Sequence, residues 1–68
     1  MTIYFTTREY EMEHGRKPRG RGGWMFEFEG YEYVAIGTLT EAKKKCREYI
    51  KEIAPEGYTE DVYVNVLP

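Results

Sequence analysis

Residues 24–37 read WMFEFEGYEYVAIG, and this stretch predicts a β-hairpin. Trp24, Phe26 and Phe28 recur at every second position, which is the period of a strand with one buried face. Gly30 marks the turn, and a second alternating run follows it. We therefore predict two paired strands, near residues 24–29 and 32–37.

The segment after the hairpin reads TLTEAKKKCREYIKEIAPEG and predicts an amphipathic helix over residues 39–54. Thr38 and Glu41 have the spacing of a capping box at its start, and Pro55 stops the pattern. The apolar residues share one stripe of such a helix, and they are Leu39, Ala42, Cys46, Tyr49, Ile50 and Ile53. This stripe is the face that we expect to cover the hairpin.

Two further strands flank this unit. The sequence TIYFT predicts a strand near residues 2–7, and DVYVNVLP predicts another near residues 61–67, because both alternate and are rich in residues that favour strands. Between the first strand and the hairpin, TREYEMEHG leaves two alternatives open. Thr6 and Glu9 have capping-box spacing for a short helix over residues 8–13, whereas the alternating residues of the same stretch also fit an extension of the strand.

This order of elements predicts a single α+β domain over residues 1–68, with a small, mostly antiparallel sheet and the helix 39–54 packed on one face. One cysteine excludes an internal disulfide, and one histidine makes a Cys/His zinc site implausible, so we expect neither metal nor cofactor. No apolar run approaches the roughly 20 residues that cross a bilayer, and the first residues lack a signal-peptide pattern. We therefore expect a cytoplasmic protein that has no contact with a membrane.

Positive charge is concentrated between the first strand and the hairpin. Residues 14–23 read HGRKPRGRGG and hold four of the ten Lys/Arg residues and none of the twelve Asp/Glu residues. The glycines predict a flexible basic loop at residues 14–23. The remainder of the chain is acidic, whereas a generic nucleic-acid-binding domain is basic over a whole face.

Two interpretations of this loop remain open. Its arginines can bind carboxylate or phosphate groups of a partner, because guanidinium groups pair with both in a bidentate manner. Alternatively, the loop is simply solvated, or its arginines fold back onto the protein's own acids, of which Glu27, Glu29 and Glu32 lie on the adjacent hairpin. Seven tyrosines exceed what so small a core can absorb, and Tyr and Arg are enriched at protein–protein contacts, so we expect a partner surface or a homodimer. The candidate partner-binding residues are Arg16, Lys17, Arg19, Arg21, Trp24 and Tyr31.

The sequence offers three weak candidates for catalytic groups. Glu27 and Glu29 share a strand face, but alternation with the aromatic residues predicts that this face is simply solvent-exposed. His14 has no Ser, Cys or Asp partner at a meaningful spacing, and Cys46 falls in the apolar stripe of the helix. We therefore expect no enzymatic activity.

Within the loop, the core KPRGRG (residues 17–22) resembles the AT-hook of minor-groove DNA-binding proteins, whose centre is Pro-Arg-Gly-Arg-Pro. The resemblance implies that Arg19 and Arg21 would lie along the floor of an A·T-rich minor groove and that Gly20 would allow close approach. Gly22 stands where the family has its closing proline. The run RGRGG also resembles the arginine–glycine segments that bind RNA.

Size, acidity, tyrosine content and a lone α+β layer together resemble the small accessory proteins of phages and mobile elements, in particular the anti-CRISPR inhibitors. That resemblance implies a non-enzymatic inhibitor that occupies a surface on a host protein or ribonucleoprotein complex of defence, which is our leading hypothesis. Direct binding of nucleic acid through the loop is the first alternative. The second is a HicB-like antitoxin or transcriptional accessory dimer, since a hairpin followed by GTLTEAKKKC is similar to that family, although its glycine and aspartate pattern ahead of the helix is missing.

Overall fold

Six elements follow one another along residues 1–68, all of which the computed structural model describes. The strands are β1 (Ile3–Thr6), β2 (Arg21–Phe28), β3 (Tyr31–Thr38) and β4 (Val62–Val66), and the helices are α1 (Arg8–His14) and α2 (Leu39–Ile53). The predicted α+β class is confirmed, as are the hairpin and the long helix. Neither helix is both long and apolar enough to cross a membrane.

The four strands form one mixed sheet in the order β1-β4-β2-β3. The hairpin pairs β2 with β3 in antiparallel register from Arg21↔Thr38 to Phe28↔Tyr31, and β4 lies antiparallel to the other side of β2. β1 pairs in parallel with β4. The sheet is therefore mostly antiparallel, as expected, with one parallel pair at the edge that local sequence patterns did not indicate.

The core lies between one face of the sheet and α2. Every second residue of β2 and β4 points into it, and the helix contributes the middle of its apolar stripe. The buried residues are Trp24, Phe26, Phe28, Ala35, Ala42, Cys46, Ile50, Val62, Val64 and Val66. No polar or charged side chain is buried, so the core depends on apolar burial alone.

Residues 8–14 form a helix, which decides between the two alternatives left open for this stretch. The expected capping box is not formed, because Thr7 rather than Thr6 occupies the N-cap and its side chain bonds the Glu11 carboxylate. Gly15 ends the helix in the left-handed conformation (φ 69°), and its N–H donates to the Glu11 carbonyl at 2.8 Å. The helix places Tyr10 against Trp24, with ring centroids 5.8 Å apart.

The connection from α1 to β2 is shorter than the expected loop of residues 14–23. His14 belongs to α1, and β2 begins at Arg21, three residues before the expected position. Residues 21–23 are extended because they pair with residues 36–38 of β3 in the hairpin. Only residues 15–20 form the loop.

Candidate functional site

The four cations between α1 and Trp24, which we call the basic segment (Arg16, Lys17, Arg19 and Arg21), are all exposed. Arg21 forms the only salt bridge in the molecule, with its Nη2 atom 3.6 Å from Oε1 of Glu41. Both side chains remain open to water, with exposed fractions of 71% and 53%, so this bridge adds little stability. Arg16, Lys17 and Arg19 form no salt bridge within the protein.

The glutamates of the hairpin do not neutralise the basic segment. Glu27 accepts a hydrogen bond from Asn65 Nδ2 at 3.0 Å, and Glu29 accepts one from the Tyr58 hydroxyl at 3.4 Å. Glu32 lies opposite Glu27 in the hairpin register, and the hairpin turn is at the far end of β2 from Arg21. The arginines therefore do not fold back onto these three glutamates, and the one contact with the protein's own acids is that of Arg21 with Glu41.

The cations of α2 behave differently from those of the loop, because several of them contact the protein. Lys45 Nζ donates to the Ile36 carbonyl at 2.9 Å. Lys43 and Arg47 lie over the ring of Phe5, at 5.5 and 5.1 Å from its centroid. Lys44 and Lys51 are exposed and form no salt bridge, so the unpaired cations of the loop differ from them in lying in a stretch without Asp or Glu rather than in being the only unpaired ones.

A surface groove of about 410 Å³ lies beside the basic segment. Its lining residues are Tyr10, His14, Arg19, Arg21, Gly22, Gly23, Trp24, Met25, Leu67 and Pro68. Tyr10 and His14 stack with ring centroids 4.1 Å apart, and a Cβ atom added at either lining glycine would contact nothing within 4 Å. The groove therefore combines two guanidinium groups with aromatic surface, which suits an anionic ligand with a flat or apolar part.

The remaining two candidate residues occupy different places. Trp24 is only 7% exposed, and its indole N–H donates to the Gly37 carbonyl at 3.1 Å, so it is a core residue whose edge borders the groove. Tyr31 is 54% exposed and stacks on Phe28 at the turn end of the hairpin. The register puts about 23 Å of β3 between Tyr31 and the partner of Arg21. The six candidates therefore do not form one site.

The sequence analysis missed a second concave site, which lies at the turn end of the hairpin. This pocket, which we call the end pocket, has a volume of about 250 Å³. It is lined by Met1, Phe28, Glu29, Tyr31, Ile50, Ile53, Ala54, Pro55, Tyr58 and Val62. In the sequence, the only signal for this pocket was Ile53, which continues the apolar stripe of α2 at the end of the helix. In the structure this residue remains 40% exposed.

No hydrogen bond joins the groups considered for catalysis to one another. Cys46 is fully buried, and this burial raises the pKa of its thiol to about 11. His14 stacks on Tyr10, and Glu27 accepts a hydrogen bond from Asn65. No cluster of three or more His, Cys, Asp or Glu side chains is arranged to hold a metal ion.

Comparison of the chain with protein-family models, with curated proteins and with solved structures gave no match. Function is therefore inferred from the chain's own geometry.

Proposed function

We propose that this protein is a non-enzymatic binding protein that acts by occupying a surface of its partner, with the basic segment as an anchor. The observation that carries the proposal is the state of Arg16, Lys17 and Arg19, which are exposed, close in sequence and without a salt bridge inside the protein. Solvated guanidinium groups provide bidentate donors for carboxylates or phosphates.

The partner that we propose is a host complex that handles nucleic acid in defence, which makes the protein an inhibitor of the anti-CRISPR type. Such a complex has cationic surfaces that hold nucleic acid and acidic groups around them. A chain of net charge −2 that carries three unpaired cations in a loop without acidic residues has complementary charge for both kinds of surface. Inhibition would follow from steric occupancy and requires no reaction.

Direct binding of nucleic acid is the competing function, and the groove beside the basic segment favours it. The AT-hook resemblance, however, requires two arginines in an extended, mobile segment. Here Arg21 is held in β2 and bridged to Glu41, so only Arg19 of the two is free. For this reason we rank occupancy of a protein complex first.

A paired binding assay separates the two functions. We expect no gel shift of AT-rich duplex, mixed duplex or single strands at about 0.15 M salt, and we expect inhibition of DNA binding by at least one purified complex in a panel of CRISPR effectors. A direct binder would instead shift free nucleic acid, and raising the salt to about 0.3 M would weaken that shift steeply. A dimer in light scattering that also binds operator DNA would favour the antitoxin class.

Substitution of the free cations tests the anchor itself. The double variant R16A/R19A should weaken inhibition about tenfold or more, because it removes two charge-assisted contacts. The control K44A/K51A removes two exposed cations of α2 and should change inhibition less than about twofold. Unchanged inhibition by R16A/R19A would exclude the basic segment from the mechanism.

A further inference from the structure

The end pocket has the dimensions and lining of a site for one protein side chain. Its volume of about 250 Å³ is below the range of roughly 300–1,000 Å³ that small-molecule ligands occupy. Phe28 and Ile50 form its base from the core, and Ile53, Tyr31 and Tyr58 line it further out. Apolar surface left open in this way is a candidate contact for another protein.

Carboxylates stand at the edge of this apolar pocket without a basic partner. Glu29 lines the pocket and accepts the hydrogen bond from the Tyr58 hydroxyl. Glu60 follows Tyr58 by two residues, and its charge is close enough to raise the pKa of that hydroxyl. Neither forms a salt bridge, since the only one is Arg21–Glu41 at the opposite end of β2. Partial burial raises the pKa of the Tyr58 hydroxyl, and the charges of Glu29 and Glu60 raise it further, as expected where negative charge is not neutralised.

One of these carboxylates belongs to a residue of the hairpin turn. Glu29 has φ 48°, and it is the only residue other than glycine with a positive φ. Two-residue turns of this kind normally place Asn, Asp or Gly at that position, because other side chains are strained there. A strained glutamate beside an open apolar pocket is the kind of outlier that supports a functional hypothesis.

We propose that the end pocket binds an apolar side chain from a lysine- or arginine-rich stretch of a partner protein. The lysine or arginine residues beside that side chain pair with Glu29 and Glu60. The apolar walls select the anchor, and the carboxylates select its cationic neighbours. Nucleic acids and acidic peptides are repelled by the same carboxylates. This site is separate from the basic segment, so it extends the proposed function without depending on it.

Three blocked heptapeptides of matched length test the chemistry of the occupant. The basic–apolar probe is Lys-Leu-Lys-Phe-Lys-Leu-Lys, a second probe replaces its apolar residues by serine, and a third replaces its lysines by glutamate. We expect the first to bind at least about tenfold more tightly than either of the others, with NMR shifts at Tyr31, Ile53 and Tyr58. Its affinity should fall as salt rises, because the contacts with the carboxylates are exposed.

Variants of the protein test the assigned residues. E29Q/E60Q should weaken binding of the basic–apolar peptide about three- to tenfold and flatten its salt dependence, because exposed ion pairs are individually weak. I53S should weaken binding of the same peptide, because it removes part of the apolar wall of the pocket. The control E9Q/E13Q removes two exposed carboxylates of α1 and should leave the affinity unchanged, as should R16A/R19A.

Three results would overturn the proposal. They are equal affinity for the basic and acidic apolar peptides, an affinity that E29Q/E60Q does not alter, and NMR shifts confined to residues outside the end pocket. Self-association that E29Q/E60Q abolishes would assign the pocket to a second copy of the chain instead. Because R16A/R19A is tested separately, failure of this proposal is distinguishable from failure of the proposed function.

Discussion

The single cysteine shows how a residue's position in the core sets its chemistry. Cys46 lies on the buried face of α2 between Ala42 and Ile50, with no exposed surface. Burial raises the pKa of its thiol from the ordinary value of 9.0 to about 11, which lowers the thiolate fraction about a hundredfold near neutral pH. We expect a disulfide reagent such as DTNB to modify the native protein at least about a hundredfold more slowly than the urea-unfolded chain. Rapid labelling of the native protein would contradict the buried position.

Gly37 is constrained more tightly than any other glycine of the chain. Its φ is 140°, and an added Cβ atom would lie 3.1 Å from Oε1 and 3.3 Å from Cβ of Glu41. Its carbonyl also accepts the indole N–H of Trp24. Substitution at this residue therefore strains the backbone and requires the Glu41 side chain, which caps α2, to shift.

We expect Gly37→Ala to lower the free energy of unfolding by about 1–3 kcal/mol, measured by urea denaturation. Gly22 is the matched control, because it pairs with Gly37 in the hairpin but has an ordinary φ and open space around its Cβ position. Gly22→Ala should change stability by less than about 0.5 kcal/mol. Equal effects of the two substitutions would show that the strain assigned to Gly37 is absent.

At the scale of the elements, the start of α2 joins three parts of the fold. Thr38 Oγ1 accepts the Glu41 N–H at 3.2 Å, and Glu41 Oε1 accepts the Thr38 N–H at 2.9 Å, so the expected capping box is confirmed. Glu41 also forms the exposed salt bridge with Arg21, the first residue of β2. The hydrogen bonds from Thr38 and the charge of Arg21 lower the pKa of the Glu41 carboxyl.

A lowered pKa in the folded state gives this carboxylate a defined effect on stability. The contribution is fully present above the pKa of the unfolded chain and is lost as the pH falls through the lower folded value. We expect Glu41→Gln to reduce the difference in unfolding free energy between pH 7 and pH 3, because glutamine does not titrate. Urea midpoints at both pH values measure this effect, with Glu48→Gln as the control for removing one carboxylate from α2. An identical pH dependence in wild type and Glu41→Gln would contradict the assignment.

Sequence patterns predicted those elements whose signals are local. The hairpin alternation, the apolar stripe of α2 and its Thr38 cap were all read correctly, since each lies within a few residues of chain. The start of β2 was misplaced, because Gly22 and Gly23 are extended only through their pairing with β3. The parallel pairing of β1 with β4 joins residues near the two termini, and no local pattern carries that information.

The candidate site was predictable to a similar extent. Exposure and charge of the basic segment follow from composition and were predicted, whereas the salt bridge of Arg21 depends on the position of Glu41 in the folded chain. The end pocket was not predicted, because its walls come from segments far apart in sequence, such as Phe28, Ile50 and Tyr58. Sequence reasoning identified the group of free cations but not the concave surface at the other end.

At the scale of the whole molecule, the sheet has one covered face and one open face. On the open face, Tyr4 and Tyr63 stack at 5.2 Å, and Met25, Val34 and Ile36 are exposed. Glu27 and Asn65 form a polar pair on the same face. The homodimer expected from the tyrosine content remains a prediction, and this face is the surface where light scattering of substituted variants would test it.

Charge is also distributed unevenly over the molecule, whose longest dimension is 38 Å. The basic segment lies beside the first residues of β2, whereas Glu29 and Glu60 lie by the hairpin turn at the other end of that strand. Interactions between exposed charges decay within a Debye length of about 10 Å at 0.1 M salt. A partner bound at one end therefore experiences mainly the charge of that end. The net charge of −2 does not describe the charge at either end of the molecule.

This segregation predicts that an acidic protein of pI about 5.4 is retained on heparin at neutral pH and low ionic strength. Retention should be weak and lost near physiological salt, because only a few cations take part. R16A/R19A should pass through the column, whereas K44A/K51A should elute close to the wild-type position, since the α2 cations lie outside the basic segment. E29Q/E60Q alters net charge by the same amount as R16A/R19A, in the opposite direction, yet should shift the elution far less. Equal shifts from these double variants would mean that heparin responds to net charge alone, and the basic segment would then have no separate electrostatic identity.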